Sequence, residues 1–135
     1  MMQTLTLSVS VDRDWRELYD AIWRPEVSPT WASGLAQSTL EDHGDHWRAR
    51  GAGSDGSDVT IRFTDYNAYG VMDHRVTLPD GAEVYVPLRV MQNGAGAEVA
   101  LTLFRQPGMS DEQFAADAEW VRHDLATLAA LHAKA

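Results

Sequence analysis

The chain has 135 residues, no cysteine, and a net charge of −9 from 11 basic and 20 acidic residues. This length fits one domain with one hydrophobic core. The acidic excess argues against nucleic-acid and anionic-membrane binding, both of which need a concentrated basic surface. The lack of cysteine excludes disulfides, thiolate metal ligands and a cysteine nucleophile.

The N-terminal segment alternates apolar and polar residues and has no basic signal-peptide region. No apolar run approaches the roughly 20 residues of a membrane span. A cytoplasmic protein without membrane insertion is therefore expected.

The first elements in chain order are a strand and a helix. Alternation in "TLTLSVSV" (4–11) predicts a half-buried strand. Apolar residues of 14–23 recur at helical spacing, Asp14 with Glu17 fits a capping box, and Pro25 is expected to stop the helix.

A short second helix is predicted next, over residues 28–33. Ser28 and Pro29 suit its first positions, Gly34 its end, and Trp31 lies within it.

Residues 36–106 read as six consecutive strands joined by hairpins. The turn signals are Gly44, the segment "GAGSDGSD" (51–58), Pro79-Asp80-Gly81 and Asn93-Gly94. "AEVYVPLRVM" (82–91) is interpreted as one continuous strand.

The last element is a long helix over about 111–133, with Ser110 as cap and Gln113 in the capping-box position. Its predicted buried stripe is Phe114, Ala118, Val121, Leu125, Leu128 and His132.

This order predicts a single α+β domain, 1–135. We expect a curved six- to seven-stranded antiparallel sheet wrapped around the C-terminal helix. Because a twisted sheet and a long helix do not close completely, a cleft should separate them, roofed by the short helices.

The chain resembles the START-like superfamily, also called SRPBCC or polyketide cyclase/dehydrase and lipid-transport proteins, which has the helix-grip fold. The resemblance covers essentially the whole chain. It is carried by "VSVDRDWRELYDAIWRPE" (9–26), "YGVMDHRVTLPDGAEVYVPLRV" (69–90) and "LTLFRQPGMSDEQF" (101–114). It implies an apolar cavity between sheet and helix for a lipid, polyketide or other hydrophobic molecule, but transfers no catalytic residue.

Strand alternation separates the residues of Asp73-His74-Arg75. His74 should face inward with Met72, Val76 and Leu78, whereas Asp73 and Arg75 should form cross-strand charge pairs on the outer face with Arg62, Glu83 and Arg89. His74 is interpreted as a buried histidine satisfied by a carbonyl, hydroxyl or water; ligand contact and general-base catalysis are the alternatives. Asp65 reads as a turn residue that could reach His74 only if the strand register allows.

Other candidate ligand contacts are aromatic residues and one arginine. Trp23, Trp31, Trp47 and Phe63 could be cavity walls or ordinary core, Trp31 being the best candidate. Arg105 could meet a ligand carboxylate, although a salt bridge to the final helix is favoured. The predicted ligand-binding set is His74, Trp31, Trp23, Phe63, Met72, Arg105 and Trp47.

Two further patterns are weak. "HGDH" (43–46) provides too few converging ligands for a metal site, and "GAGSDGSD" lacks the end of a phosphate-binding loop. No metal or cofactor is expected.

Three functions remain open at this point. The leading hypothesis is a binding or carrier protein for a small hydrophobic molecule. The second is a cofactor-independent cyclase or dehydratase, and the third is a protein-interaction module resembling the Hsp90-activator branch. A homo-oligomer is compatible with each.

Overall fold

The computed structural model describes residues 1–53 and 55–134. The described residues form eight strands, two α-helices and one 3₁₀ helix. In chain order they are β1 (Thr4–Val11), α1 (Trp15–Ile22), the 3₁₀ helix (Pro25–Thr30), β2 (Thr39–Asp42), β3 (Trp47–Arg50), β4 (Val59–Phe63), β5 (His74–Thr77), β6 (Glu83–Val86), β7 (Leu88–Asn93), β8 (Gly96–Phe104) and α2 (Asp111–His132).

Both α-helices begin at the predicted caps. The Asp14 carboxylate accepts hydrogen bonds from the backbone N–H groups of Arg16 and Glu17, each at 3.1 Å. The Ser110 hydroxyl oxygen accepts one from the Gln113 N–H at 3.1 Å. These bonds satisfy donors that a helix start otherwise leaves unpaired, which fixes where each helix begins.

The strands form two antiparallel sheets, ordered β1-β8-β7 and β2-β3-β4-β5-β6. The α2 helix packs on β1 and β8, and α1 packs on β7 and β8. The predicted α+β helix-grip architecture is confirmed, but the single sheet of six to seven strands expected from the sequence is instead eight strands in two sheets. The largest core cluster lies between the three-stranded sheet and the two helices; its fully buried members include Leu18, Ile22, Val90, Val99 and Leu128.

The prediction of one continuous strand over 82–91 is wrong, because Pro87 divides it into β6 and β7. Proline has no N–H to donate to a sheet. At this break the Asp73 carboxylate accepts the Leu88 N–H at 3.0 Å, in place of a backbone carbonyl. The strand expected around Asp73 is correspondingly shortened to β5, although the Met72 N–H still bonds to the Leu88 carbonyl at 2.7 Å.

Residues 64–73 form a loop where strand was expected. Asn67 holds this loop together: its side-chain oxygen accepts the N–H groups of Tyr69 and Val71, and its amide donates to the carbonyls of Asp65 and Val71. The interpretation of Asp65 as a turn residue is therefore correct.

The short helix predicted over 28–33 lies earlier in the chain and is a 3₁₀ helix, Pro25–Thr30. Pro25 takes its first position instead of only ending α1, because the first helical N–H is unpaired anyway and proline loses nothing there. Trp31 follows the helix and is buried. The predicted connection 51–58 does join β3 to β4, but Ser54 lies outside the described residues.

Candidate functional site

A cavity of about 420 Å³ lies between the five-stranded sheet, the segment after the 3₁₀ helix, and α2. Most of the side chains around it are apolar. The described residues that line it are Ser28, Trp31, Ala32, Gly34, Leu35, Ala52, Gly53, Val59, Ile61, Phe63, Met72, His74, Val76, Leu78, Leu88, Leu101, Val121 and Asp124.

Alternation along two paired strands builds the sheet wall of this cavity. In β4, Val59, Ile61 and Phe63 point inward, and Phe63 lies opposite His74 of β5 in the antiparallel register. The two rings are 5.6 Å apart at a 33° tilt. The predicted inward face of Met72, His74, Val76 and Leu78 is confirmed, since all four line the cavity.

His74 is held by its own backbone neighbourhood. Its Nδ1 lies 3.3 Å from the Met72 carbonyl oxygen. A carbonyl only accepts, so Nδ1 carries the hydrogen and Nε2 is left as an acceptor. Burial lowers the pKa of His74, while the Met72 carbonyl and the charge of Asp73 oppose this more weakly, so the imidazole is neutral at neutral pH. The carbonyl contact matches the favoured interpretation, while the side chain is half-buried and not fully buried.

Asp73 points to the opposite side of the sheet, as predicted. Its carboxylate accepts hydrogen bonds from the Tyr85 hydroxyl at 2.8 Å and from Arg89 at 3.0 Å. Burial alone would raise the pKa of Asp73, but Arg89, the Leu88 N–H and the Tyr85 hydroxyl outweigh it and hold the pKa below its ordinary value. The expected outer pair between Arg75 and Glu83 is also present, at 3.0 Å.

Polar groups also border the cavity. Asp124 reaches it from α2, and its Oδ1 accepts the Ser33 N–H at 3.2 Å. Trp31 borders the same cavity, and its indole N–H is buried with no hydrogen-bond partner among the described residues. The Ser33 hydroxyl oxygen is likewise buried without one.

Sequence reasoning missed Asp124. The signal was its position on α2: it lies three residues after Val121 and four before Leu128, so it flanks the apolar stripe. A charged residue in that position can turn either to solvent or to the interior, and the pattern alone does not decide between them.

Four of the seven predicted contacts line this cavity together: Trp31, Phe63, Met72 and His74. Trp23 and Trp47 do not. They line a separate surface groove with charged residues around it, and Phe63 borders both spaces. The Trp47 and Phe63 rings meet edge to face at 6.5 Å.

Arg105 lies away from the cavity. Its guanidinium donates to Asp111 at 2.6 Å and to the Met109 carbonyl at 2.8 Å, at the beginning of α2. The favoured alternative, a salt bridge to the final helix, is confirmed.

The His43–His46 turn forms local pairs. His43 stacks on His46 at 5.3 Å and contacts Glu41, while His46 pairs with Asp45 at 2.6 Å. In residues 1–53 and 55–134, no three histidine, aspartate or glutamate side chains come together as a metal site. Over the same residues, every helix is too short or too polar to span a membrane.

No protein-family model matches the chain, and no curated protein matches it in sequence. Solved structures do match its fold. The protein XoxI from Bacillus cereus superposes with a TM-score of 0.73 at 15% identity, covering 96% of this chain and 95% of XoxI. Ara h 8.0201 gives 0.65 at 14% identity, covering 97% of each chain.

The third comparison is with the di-domain ARO/CYC BexL from the BE-7585A biosynthetic pathway. Its TM-score is 0.66 at 20% identity, over 96% of this chain but only 46% of BexL, so the chain spans about half of that protein. At these identities the likeness shows the fold alone, and it agrees with the helix-grip fold predicted from the sequence.

Proposed function

We propose that the chain binds or carries a small hydrophobic molecule, of lipid, polyketide or aromatic type, in the cavity between the five-stranded sheet and α2. The observation that carries this proposal is the apolar cavity of about 420 Å³. Protein interiors are close-packed and rarely keep voids larger than a water molecule. A space of this size is within the range of small-molecule sites, which are mostly apolar with a few placed polar groups.

The polar groups fit such a role. A neutral His74 can accept one hydrogen bond from a ligand through Nε2 without adding charge to the apolar wall. Asp124, which also lines the cavity, can accept one from α2. The cavity thus offers two polar contacts within a mostly apolar wall.

Native mass spectrometry of the protein purified from its own host tests this proposal. We expect a mass excess over the bare 15.0 kDa chain that disappears on denaturation. Val76→Phe fills the cavity from β5 and should remove the excess, whereas Thr77→Phe, on the opposite face of the same strand, should keep it. A bare mass in the wild type, together with no binding of the fluorescent probes described below, would refute the proposal.

A cofactor-independent cyclase or dehydratase is the second candidate. The observation that favours it is that one apolar cavity contains both a neutral imidazole, His74, and a carboxylate, Asp124. General acid–base catalysis needs such groups and contributes typically about 10²–10⁴-fold in rate. BexL, which shares the fold of this chain, is called an ARO/CYC, and this is compatible with such chemistry.

The two candidates differ in what His74→Gln changes. If the protein is a carrier, the molecule released from the wild type is recovered unaltered, and the variant binds it nearly as well. If it is an enzyme, incubation with wild type converts that molecule and the variant does not. The third hypothesis, an interaction module, predicts an exposed apolar patch and no enclosed pocket; the cavity is partly open, so it does not decide against that hypothesis.

A further inference from the structure

The described residues lining the cavity carry negative charge and no positive charge. Asp124 is the one charged side chain among the described lining residues, and neither lysine nor arginine is among them. The other polar side chains, Ser28, Trp31 and His74, are uncharged at neutral pH. A carboxylate in mostly apolar surroundings is costly unless donors or a cation satisfy it.

The carboxylate of Asp124 is held in place but only partly satisfied. Its side chain is 16% exposed. Oδ1 accepts the Ser33 N–H at 3.2 Å and lies 3.7 Å from the His123 ring, which is itself 72% exposed. Oδ2 accepts no hydrogen bond from any other described residue. Because Asp124 lines the cavity, its carboxylate can accept a hydrogen bond from a donor there.

The other polar groups of the lining do not balance this charge. Trp31 lines the same cavity, but its indole N–H is fully buried and is not open to a ligand there. The carboxylate of Asp124 therefore defines the head group that fits, namely one that donates a hydrogen bond.

Resting on the proposed function, we infer that this cavity selects hydrophobic molecules that carry an amino or hydroxyl group, and discriminates against hydrophobic carboxylic acids. An ammonium or hydroxyl group of the ligand donates a hydrogen bond to Asp124. A ligand carboxylate has no described cation to pair with and meets the like charge of Asp124. Specificity of this kind comes as much from repulsion of the wrong ligand as from attraction of the right one.

Three fluorescent probes with the same ring system test this inference: 9-anthracenemethylamine, 9-anthracenemethanol and 9-anthracenecarboxylic acid. Binding of each to the full chain at neutral pH is followed by the change in probe fluorescence. We expect the amine and the alcohol to bind about tenfold or more tightly than the acid, as one charge-assisted hydrogen bond would give.

Asp124→Asn then removes the charge at nearly constant size. The amine should lose about tenfold in affinity, the acid should gain, and the alcohol should change least. Asp117→Asn is the matched control, because Asp117 lies on the same helix but not at this cavity, and it should leave all three affinities unchanged.

The outcomes separate the two proposals. Equal binding of the three probes, or tightest binding of the acid, overturns the inference while leaving the binding function intact. An unchanged ranking in a folded Asp124→Asn also overturns it. If Asp124→Asn does not fold, the wild-type ranking decides alone. Binding of none of the probes overturns both the inference and, with a bare native mass, the proposed function.

Discussion

The two sheets of this molecule use the same kind of alternating strand in different ways. In the three-stranded sheet, helices cover the inner face, and Val90, Val99 and Leu128 belong to one cluster with no exposed surface. The five-stranded sheet has its own small cluster of Ala49, Val59 and Ile61, and beyond it the inner face borders the cavity.

The difference follows from which strands the apolar stripe of α2 covers. The α2 helix packs this stripe on β1 and β8, both of the three-stranded sheet. Toward the five-stranded sheet, α2 contributes Val121 and Asp124 to the cavity wall instead. One half of the molecule is therefore packed for stability and the other leaves space for a ligand.

Shortening one leucine in each half should give the largest difference in stability between the two halves. Leu128→Ala, at a position with no exposed surface, should lower the free energy of unfolding by about 2–5 kcal/mol, because it opens a void in a packed core. Leu35→Ala should cost less than half as much, since Leu35 is half-buried and already borders the cavity. Urea denaturation measures both. Equal losses would show that the cavity half is packed as tightly as the core.

A smaller effect on stability is expected at the seam between the sheets, where Asp73 contacts the end of β6 and the start of β7. The Asp73 side chain, 15% exposed, satisfies Leu88, Tyr85 and Arg89 at the break made by Pro87. Asp73→Asn removes the charge from these bonds and should cost about 1–3 kcal/mol at neutral pH. Glu83→Gln, in the exposed pair with Arg75, should cost less than about 1 kcal/mol.

The acid dependence sharpens this prediction. The pKa of Asp73 is lower in the folded chain than in the unfolded one, so its contribution is present above the unfolded value and is lost as pH falls through the folded value. The stability gap between wild type and Asp73→Asn should therefore narrow in strong acid. A gap that stays constant down to that range would mean that the charge of Asp73 contributes nothing to the seam.

Much of the fold could be predicted because its signals are local. The strict alternation of β1, the Asp14 and Ser110 caps and the stripe of α2 each specify an element without reference to the rest of the chain. The break at Pro87 was also readable in principle, since proline in the middle of a strand argues against a continuous ladder. What the sequence could not show is that the Asp73 carboxylate replaces the missing strand partner there.

The candidate site was predictable to the extent that strand parity controls it. Phe63, Met72 and His74 line the cavity because alternation points them inward. Trp23 and Trp47 carry no such signal: Trp23 directly follows α1 and Trp47 begins β3, so the adjoining loop decides which way each side chain points. Asp124 depends on how far the sheet curves away from α2, a property of the whole assembly.

The smallest expected effect concerns His74 in the cavity half. Burial lowers its pKa in the folded chain, so below the unfolded value of about 6.5 the unfolded chain takes up a proton first. The contribution of neutral His74 to the free energy of unfolding is therefore fully present above that pH. It is lost as the pH decreases toward the folded value, by at most about 1.4 kcal/mol per pH unit for one proton. Chemical denaturation of wild type and His74→Gln over this window measures the slope, which the variant should reduce.

A second histidine serves as the control for that slope. His132 also has a lowered pKa, from burial and the nearby charge of Arg13, so His132→Gln should remove a separate part of the pH dependence. If His74→Gln keeps the full wild-type slope while His132→Gln abolishes it, the imidazole of His74 is accessible to protons in the folded chain. The cavity wall around it would then be wet, and the contrast between an apolar cavity half and a packed half would have to be redrawn.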